Sequence, residues 1–199
     1  QRQMCIRDSF YTELTTGLRR GEICGLRWED FNVADGTLQV NRSVSTRKVG
    51  NLEIGETKTN KGRRTISLPD STTQRLRERK KAAISQWIFP NPLHPEEPVN
   101  PGYAYNRMKT ILKNTGLPSI RFHDLRHTFA THALAGGVDA KTLSGILGHT
   151  NASFTLDTYT HVTCDMQKQA ANIVGDFMTD ILGEEWKPWQ ESERTAREP

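Results

Sequence analysis

Four short segments of the sequence carry side chains that could do chemistry together. They are TGLRRGE at 16–22, ETKTNKGRRT at 56–65, HDLRH at 123–127, and LGH with TYTH between 147 and 161. His123 and Arg126 are spaced i and i+3, which on a helix directs an imidazole and a guanidinium toward a common target. Arginine binds phosphate through paired donors, so a phosphate is the favoured target. His149 follows a glycine that marks a helix end, and Tyr159 comes ten residues later.

Together the four segments resemble the tyrosine recombinase (phage integrase) family, most closely the integrases of mobile elements. The resemblance extends from about Phe10 to Leu182. It implies a set of catalytic residues and one supporting acid: Arg19 with Glu22 beside it, Lys58 or in another alignment of the loop Lys61, His123 with Arg126, His149, and Tyr159 as the nucleophile.

The chemistry that the family performs makes sense of these side chains. A tyrosine hydroxyl has a pKa near 10 and needs help to lose its proton. Attack on a phosphodiester builds negative charge that Arg19 and Arg126 can bind, while His149 forms a hydrogen bond to the same phosphate. His123 is the candidate general base and Lys58 the candidate general acid. The resemblance implies a 3′-phosphotyrosine and a free 5′ hydroxyl, so no cofactor, ATP or metal is expected.

Composition places the chain among soluble globular proteins. Of 199 residues, 35% are hydrophobic and 25% are charged, and no apolar run approaches the length of a membrane helix. The three cysteines (Cys5, Cys24 and Cys164) are odd in number and scattered, which favours neither a disulfide framework nor a zinc knuckle. A cytoplasmic location is therefore expected.

Charge is distributed unevenly along the chain. Residues 42–81 contain twelve Lys or Arg and four acids, whereas residues 176–199 contain seven acids and three bases. A solvated surface would explain the basic stretch by itself, but with the motifs it predicts contacts to the phosphates of double-stranded DNA. The residues expected to make them are Arg42, Lys61, Arg63 and Arg64.

The elements that must position these residues read as a mostly helical α+β fold with a small three-stranded antiparallel sheet. Helices are predicted over 10–16, 20–27, 70–83, 103–114, 123–135, 140–147, 152–159 and 166–182. Strands are predicted over 37–45, 52–57 and 64–68, with a basic hairpin turn joining the last two.

Three regions are expected along the chain. Residues 1–9 show no clear period and are interpreted as a non-native or disordered leader. Residues 10–183 form an integrase catalytic domain that is truncated at its N-terminus, and residues 184–199 form a frayed acidic tail. An apolar stripe of Ile173, Phe177 and Ile181 docks either on a neighbouring protomer or on its own domain. The resemblance implies a homotetramer on DNA, with accessory DNA-bending or excision factors.

Two other functions have some support in the sequence. HDLRH places His123 and His127 at i and i+4 with an acid between them, which is close to the HExxH zinc motif. Asp124 is one methylene shorter than the required Glu, however, and Arg126 would set a cation beside the metal, so no metal is expected. The second alternative is a DNA-binding module that kept the fold and lost the reaction.

Overall fold

A computed structural model of the chain describes residues 2–47, 51–56, 62–149, 153, 155, 158, 168, 171–177 and 180, with side chains from Ile6 onward and without that of Glu56. Its helices are α1 (Arg2–Thr16), α2 (Arg20–Cys24), α3 (Asp70–Lys81), α4 (Pro101–Asn114), α5 (Phe122–Ala135) and α6 (Ala140–Leu147). Its strands are β1 (Phe31–Asn32), β2 (Thr37–Val40), β3 (Arg42–Thr46), β4 (Leu52–Glu56) and β5 (Arg64–Ser67).

The strands form two small antiparallel sheets. One has the order β1-β2-β5, and the other is the pair β3-β4. The predicted strand over 37–45 is divided at Asn41, because β2 pairs with β5 while β3 pairs with β4. The predicted alternation of inward and outward side chains in this segment is confirmed, since Leu38, Val40 and Val44 are all buried. The predicted hairpin between the second and third strands is wrong, because β4 and β5 belong to different sheets.

Helix α1 begins at Arg2, so the absence of regular structure expected over residues 1–9 is not observed. The helix lacked a hydrophobic period because polar residues occupy much of its buried face, which includes Ser9, Thr12, Glu13 and Thr16. Three of these residues bond within the helix: the hydroxyls of Ser9, Thr12 and Thr16 donate to backbone carbonyls three or four residues earlier, at 2.6 to 2.8 Å. That residues 1–9 are non-native stays a prediction.

Helix boundaries follow the local capping chemistry. Helix α4 begins at Pro101, earlier than predicted, because Asn100 caps it by accepting from two backbone amides and proline suits a first turn. Helix α2 ends at Cys24 rather than at residue 27, since Arg27 forms a bridge with Trp87 and stacks on its ring at 4.6 Å. Helix α6 has the predicted bounds, and Gly148 follows it with a left-handed backbone (φ 65°).

The last two predicted helices fall mostly outside the described residues. Residues 153, 155, 158, 168, 171–177 and 180 are helical. Ile173 and Phe177 are exposed, at 68% and 60%, and Ile181 is not among the described residues. No helix in the described parts of the chain is long and apolar enough to cross a membrane.

Packing of the core brings parts of α2, α5 and α6 together. Helices α1 and α5 pack together, and α6 contacts both α5 and β5. Leu18, Ile23 and Leu26 of the α2 region are buried with the sheet residues, whereas Leu143 and Leu147 of α6 are buried against Ala130 and Leu134 of α5. The start of α2, the first turns of α5 and the end of α6 therefore meet, and each carries predicted site residues.

Candidate active site

Arg126 is the centre of this meeting point. It lies on α5 and is only 2% exposed. Its Nη1 donates to the carbonyl of Gly17 at 2.7 Å, and its Nη2 donates to the carbonyl of Leu147 at 2.8 Å. One guanidinium thus joins the turn before α2 to the end of α6, which is why the three elements are held in register.

His149 is placed beside Arg126 by the turn at Gly148. Its Nε2 lies 2.9 Å from Nη2 of Arg126, and its Nδ1 lies 2.8 Å from Oγ1 of Thr155. Because a guanidinium can only donate, we assign Nε2 as the acceptor and place the proton on Nδ1, facing Thr155. Burial, followed by the charges of Arg126 and Arg19, lowers the pKa of His149 to about 4. The ring is therefore neutral at pH 7.

Arg19 and Glu22 are brought together at the start of α2. Nη1 of Arg19 donates to Oε1 of Glu22 at 2.9 Å, and the Arg19 backbone amide donates to Oε2 at 2.9 Å. Nη2 of Arg19 donates to the carbonyl of Gly148 at 3.0 Å. The two predicted catalytic arginines therefore reach consecutive carbonyls, those of Leu147 and Gly148, from different parts of the fold.

Glu22 is buried and binds a second arginine besides Arg19. Arg64 donates to both of its oxygens, at 3.1 and 2.8 Å, and also to the carbonyl of Ile146 at 2.6 Å. Burial alone would raise the pKa of Glu22 and is the largest single effect, but the hydrogen bonds and charges of Arg64 and Arg19 together outweigh it and lower the pKa. Glu22 thus stays ionised and ties α2 to β5, while Arg64 extends the connection to α6.

His123 lies at the exposed edge of the site, in the first turn of α5. Its ring stands edge-on to that of His127, with centroids 4.7 Å apart. Partial burial, then the neighbouring charges of His127, Arg126 and Arg19, lowers its pKa. His123 is therefore neutral at pH 7 and can accept a proton.

The zinc alternative gains no support from this geometry. Asp124 does not join the two histidines, because its carboxylate caps α5 by accepting from the Arg121 backbone amide at 2.7 Å and from the Arg121 guanidinium at 2.8 Å. Within the described parts of the chain, no group of three His, Cys, Asp or Glu side chains could hold a metal ion.

The remaining predicted catalytic residues, Lys58 and Tyr159, lie outside the described residues, as does Lys61. Lys58 and Lys61 belong to the segment that connects β4 to β5. Their roles stay predictions.

Two of the predicted phosphate contacts are not supported by the structure. Arg42 is 16% exposed and is held by Asp30 at 2.6 Å and by Glu29 at 2.9 Å. Arg64 is 8% exposed and forms the ion pair with Glu22. Counting charges along 42–81 missed these pairs because the acids come earlier in the chain. Both arginines hold elements together, whereas Arg63 is exposed and its contact with DNA stays a prediction.

Sequence reasoning also missed two residues that shape the site, Thr155 and Glu13, and the role of a third, Arg64. Thr155 orients His149, Arg64 anchors Glu22, and Glu13 is a fully buried acid whose pKa is affected by Arg126. The four-residue spacing of Thr155 and Tyr159 gave no signal, because threonine is common on any helix face. An acid at 13 within a run of polar residues was equally inconspicuous.

A large cavity of the described residues lies away from this site. It measures about 710 Å³ and lies between α1, α3 and the loop after α3, with Tyr11, Trp28 and Trp87 among its walls. None of the predicted site residues lines it. Cavity size therefore does not identify the chemistry here, and the converging charged side chains do.

Two guanidinium groups and a neutral histidine at helix ends, in a mostly helical α+β fold, define a site suited to a phosphate ester. The chain belongs to the phage integrase family, whose model matches residues 3–166. This match confirms the family that the four segments predicted.

Relatives and solved structures agree with this assignment. The chain is 31% identical over 191 residues to a XerC-like tyrosine recombinase of Caldanaerobacter subterraneus subsp. tengcongensis, covering 84% of this chain and 48% of the relative. It is 26% identical to the ICEBs1 integrase of Bacillus subtilis, covering 89% and 50%. The Tn1549 transposon integrase in complex with transposon right end DNA superimposes with a TM-score of 0.73 at 25% identity, covering 84% of this chain and 58% of that one. The predicted fold class is confirmed, and the chain spans about half the length of these curated relatives.

Proposed function

We propose that this chain is the catalytic part of a site-specific DNA recombinase that cuts and rejoins double-stranded DNA through a tyrosine. One observation carries the proposal. Arg19, just before α2, and Arg126, on α5, place their Nη2 atoms 3.0 and 2.8 Å from consecutive carbonyls, with His149 bonded to Arg126. Two fixed cations around one point suit the charge that develops on an attacked phosphodiester.

In the proposed reaction, the Tyr159 hydroxyl attacks phosphorus as His123 accepts its proton. The bond to the 5′ oxygen breaks, and Lys58 protonates that oxygen as it leaves, so a 3′-phosphotyrosine and a 5′ hydroxyl result. Arg19, Arg126 and His149 contact the non-bridging oxygens throughout. The reverse sequence, started by a different 5′ hydroxyl, rejoins the DNA without ATP because the ester bond is conserved.

The partners and setting belong to the same proposal. The ICEBs1 and Tn1549 integrases are proteins of mobile elements, which supports DNA integration or excision for such an element as the role of this chain. A homotetramer on DNA, accessory DNA-bending or excision factors, and action in the cytoplasm are further parts of this proposal, and the family resemblance supports them.

Covalent trapping tests the proposal. Labelled duplex DNA from the ends of the host element is incubated in EDTA with the unaltered protein, with Tyr159→Phe and with Tyr103→Phe, the last being an exposed tyrosine of α4 that serves as a matched control. We expect a detergent-resistant adduct with the unaltered protein and with Tyr103→Phe only. DNA binding without an adduct would instead identify a binding module. Cleavage seen only in a parallel reaction with zinc in place of EDTA would identify a hydrolase.

A further inference from the structure

A small cavity adjoins the site on the side of His123. It measures about 300 Å³ and is lined by Arg20, Tyr105, Arg121, Phe122 and His123. Arg20 directly follows the proposed catalytic Arg19, and Arg121 stands two residues before His123. The cavity is therefore built by the immediate neighbours of two proposed catalytic residues, although the reaction as described uses neither Arg20 nor Arg121.

Arg20 differs from the other arginines near the site. Arg19, Arg64 and Arg126 direct their donors at protein oxygens, whereas no described residue accepts a hydrogen bond from Arg20. Its guanidinium is held by two aromatic rings instead, at 5.8 Å from the Tyr105 centroid and 5.9 Å from that of Phe122. Ring contacts restrain the guanidinium without using its N–H groups.

The charge around the cavity is positive and largely uncompensated. The ammonium of Lys109 lies 4.9 Å from the Tyr105 centroid. The acid at the rim, Asp124, is already bound by Arg121. The buried acid near Arg20 is Glu13, and burial raises its pKa to about 9 despite the charges of Arg126 and Arg20. Glu13 is therefore neutral at pH 7 and does not cancel the charge of Arg20.

We propose that this cavity binds the DNA backbone phosphate next to the scissile one, with Arg20 as its ligand and the rings of Tyr105 and Phe122 holding Arg20 in position. The inference rests on the proposed function and deepens it. Arg19 and Arg20 are consecutive residues on one turn, and they bind consecutive phosphates of one strand. Arginine is suited to this role because its planar fork presents paired donors to phosphate oxygens.

Salt dependence of DNA binding tests the subsite. Affinity for a mixed-sequence duplex is measured against salt concentration in the Tyr159→Phe background, where no covalent capture takes place. One lost phosphate contact lowers the slope of log affinity against log salt by about 0.9, so Arg20→Ala loses about 3.5-fold less affinity than the parent between about 50 and 200 mM salt. Arg20→Lys keeps the slope because it keeps the charge.

Two controls make the result specific. Arg75 also lies over a tyrosine ring, that of Tyr11 at 4.4 Å, but it lines the large cavity away from the site. We expect Arg75→Ala to leave the slope unchanged. Tyr105→Leu removes a ring and no charge, so it lowers affinity at every salt concentration without changing the slope. Thermal unfolding of each variant verifies that it is folded.

The outcomes separate this inference from the proposed function. An unchanged slope in Arg20→Ala overturns the subsite, and so does an equal fall in Arg20→Ala and Arg75→Ala, because a generic loss of charge then explains both. The binding measurement does not depend on cleavage, so the subsite is tested even if no adduct ever forms. If Tyr159 forms the adduct and the Arg20 slope is unchanged, the function stands and the subsite fails.

Discussion

At the scale of single residues, Glu13 is unusual because it is a fully buried acid. Its side chain is fully buried on α1, and among the described residues neither carboxylate oxygen has a hydrogen-bond partner. Burial raises its pKa from 4.5 to about 9, against the opposing charges of Arg126 and Arg20. The folded protein therefore holds this carboxyl protonated at neutral pH, whereas the unfolded chain ionises it.

The free energy of unfolding should consequently fall as pH rises from 4.5 to about 9. A raised pKa gives a contribution that is complete below 4.5 and is lost as pH approaches 9. We expect the free energy of unfolding to decline by roughly 2–4 kcal/mol more between pH 5 and 8 in the unaltered protein than in Glu13→Gln. Urea denaturation at both pH values measures this, and parallel pH profiles for the two proteins would contradict it.

Glu22 shows the opposite behaviour of a buried acid, because two arginines bind it. In Glu22→Gln the guanidinium of Arg64 stays buried without its counter-charge, which we expect to cost about 3–5 kcal/mol of unfolding free energy. The exposed pair of Arg47 and Glu53 provides the control, and Glu53→Gln should cost much less because solvent screens this pair. Equal losses in the two variants, measured by urea denaturation, would show that Glu22 is not a structural anchor.

The pKa of Glu22 also sets the pH below which the stabilisation by its ion pair with Arg64 is lost. Its lowered value means that the stabilisation is present above 4.5 and disappears as pH falls through the folded-state pKa. In Glu22→Gln, the free energy of unfolding should therefore lack the decrease at acid pH that protonation of this carboxylate causes.

At the scale of elements, the turn at Gly148 connects α6 to His149. Its φ of 65° is unfavourable for a side chain, and an added Cβ would lie 2.8 Å from Nη1 of Arg64. Gly148→Ala should cost about 1–2 kcal/mol from the backbone alone and should also weaken adduct formation by displacing His149. Gly145→Ala is the matched control within α6, since its added Cβ meets nothing within 4 Å, and it should be neutral or slightly stabilising. Unfolding and covalent trapping of both variants measure the difference.

How far the elements could be predicted depended on where their apolar residues fall. Helix α6 has apolar residues on one face and a glycine after its last turn, so its bounds were predicted correctly. Helix α1 buries hydroxyls and a carboxyl, so its period was hidden. Strands β2 and β3 carry the expected alternation, since Leu38, Val40 and Val44 are buried. Which strand pairs with which depends on contacts between distant residues, however, and the local pattern does not contain them.

The residues of the site could be predicted better than the hydrogen bonds and ion pairs between them. The motifs identified Arg19, His123, Arg126 and His149, and the structure brings Arg19, Arg126 and His149 together by hydrogen bonds around the end of α6. The role of Arg64 as an anchor depends on an ion pair across 42 residues, which no local spacing reveals.

At the scale of the whole molecule, the proposed binding of DNA should be coupled to protonation of the site. With its proton on Nδ1, His149 presents an acceptor at Nε2, and a phosphate oxygen can accept from that nitrogen only once the ring is protonated or has changed tautomer. Burial, followed by the charges of Arg126 and Arg19, lowers the pKa of His149 to about 4. A bound phosphate adds a negative charge that offsets those of the arginines, so it should raise this pKa toward the ordinary 6.5. DNA binding should therefore take up a proton, and affinity should rise as pH falls.

The size of this effect follows from the two pKa values. If the pKa in the complex reaches 6.5, affinity for duplex DNA at pH 5.5 exceeds that at pH 7.5 by up to about tenfold through His149 alone. His149→Asn should lose this increment, whereas His132→Asn, at the exposed end of α5, should keep it. The measurement is the affinity of the three proteins for a mixed-sequence duplex at both pH values. If His149→Asn shows the same pH dependence as the unaltered protein, the proton is taken up by other groups and His149 contacts the phosphate as a neutral ring.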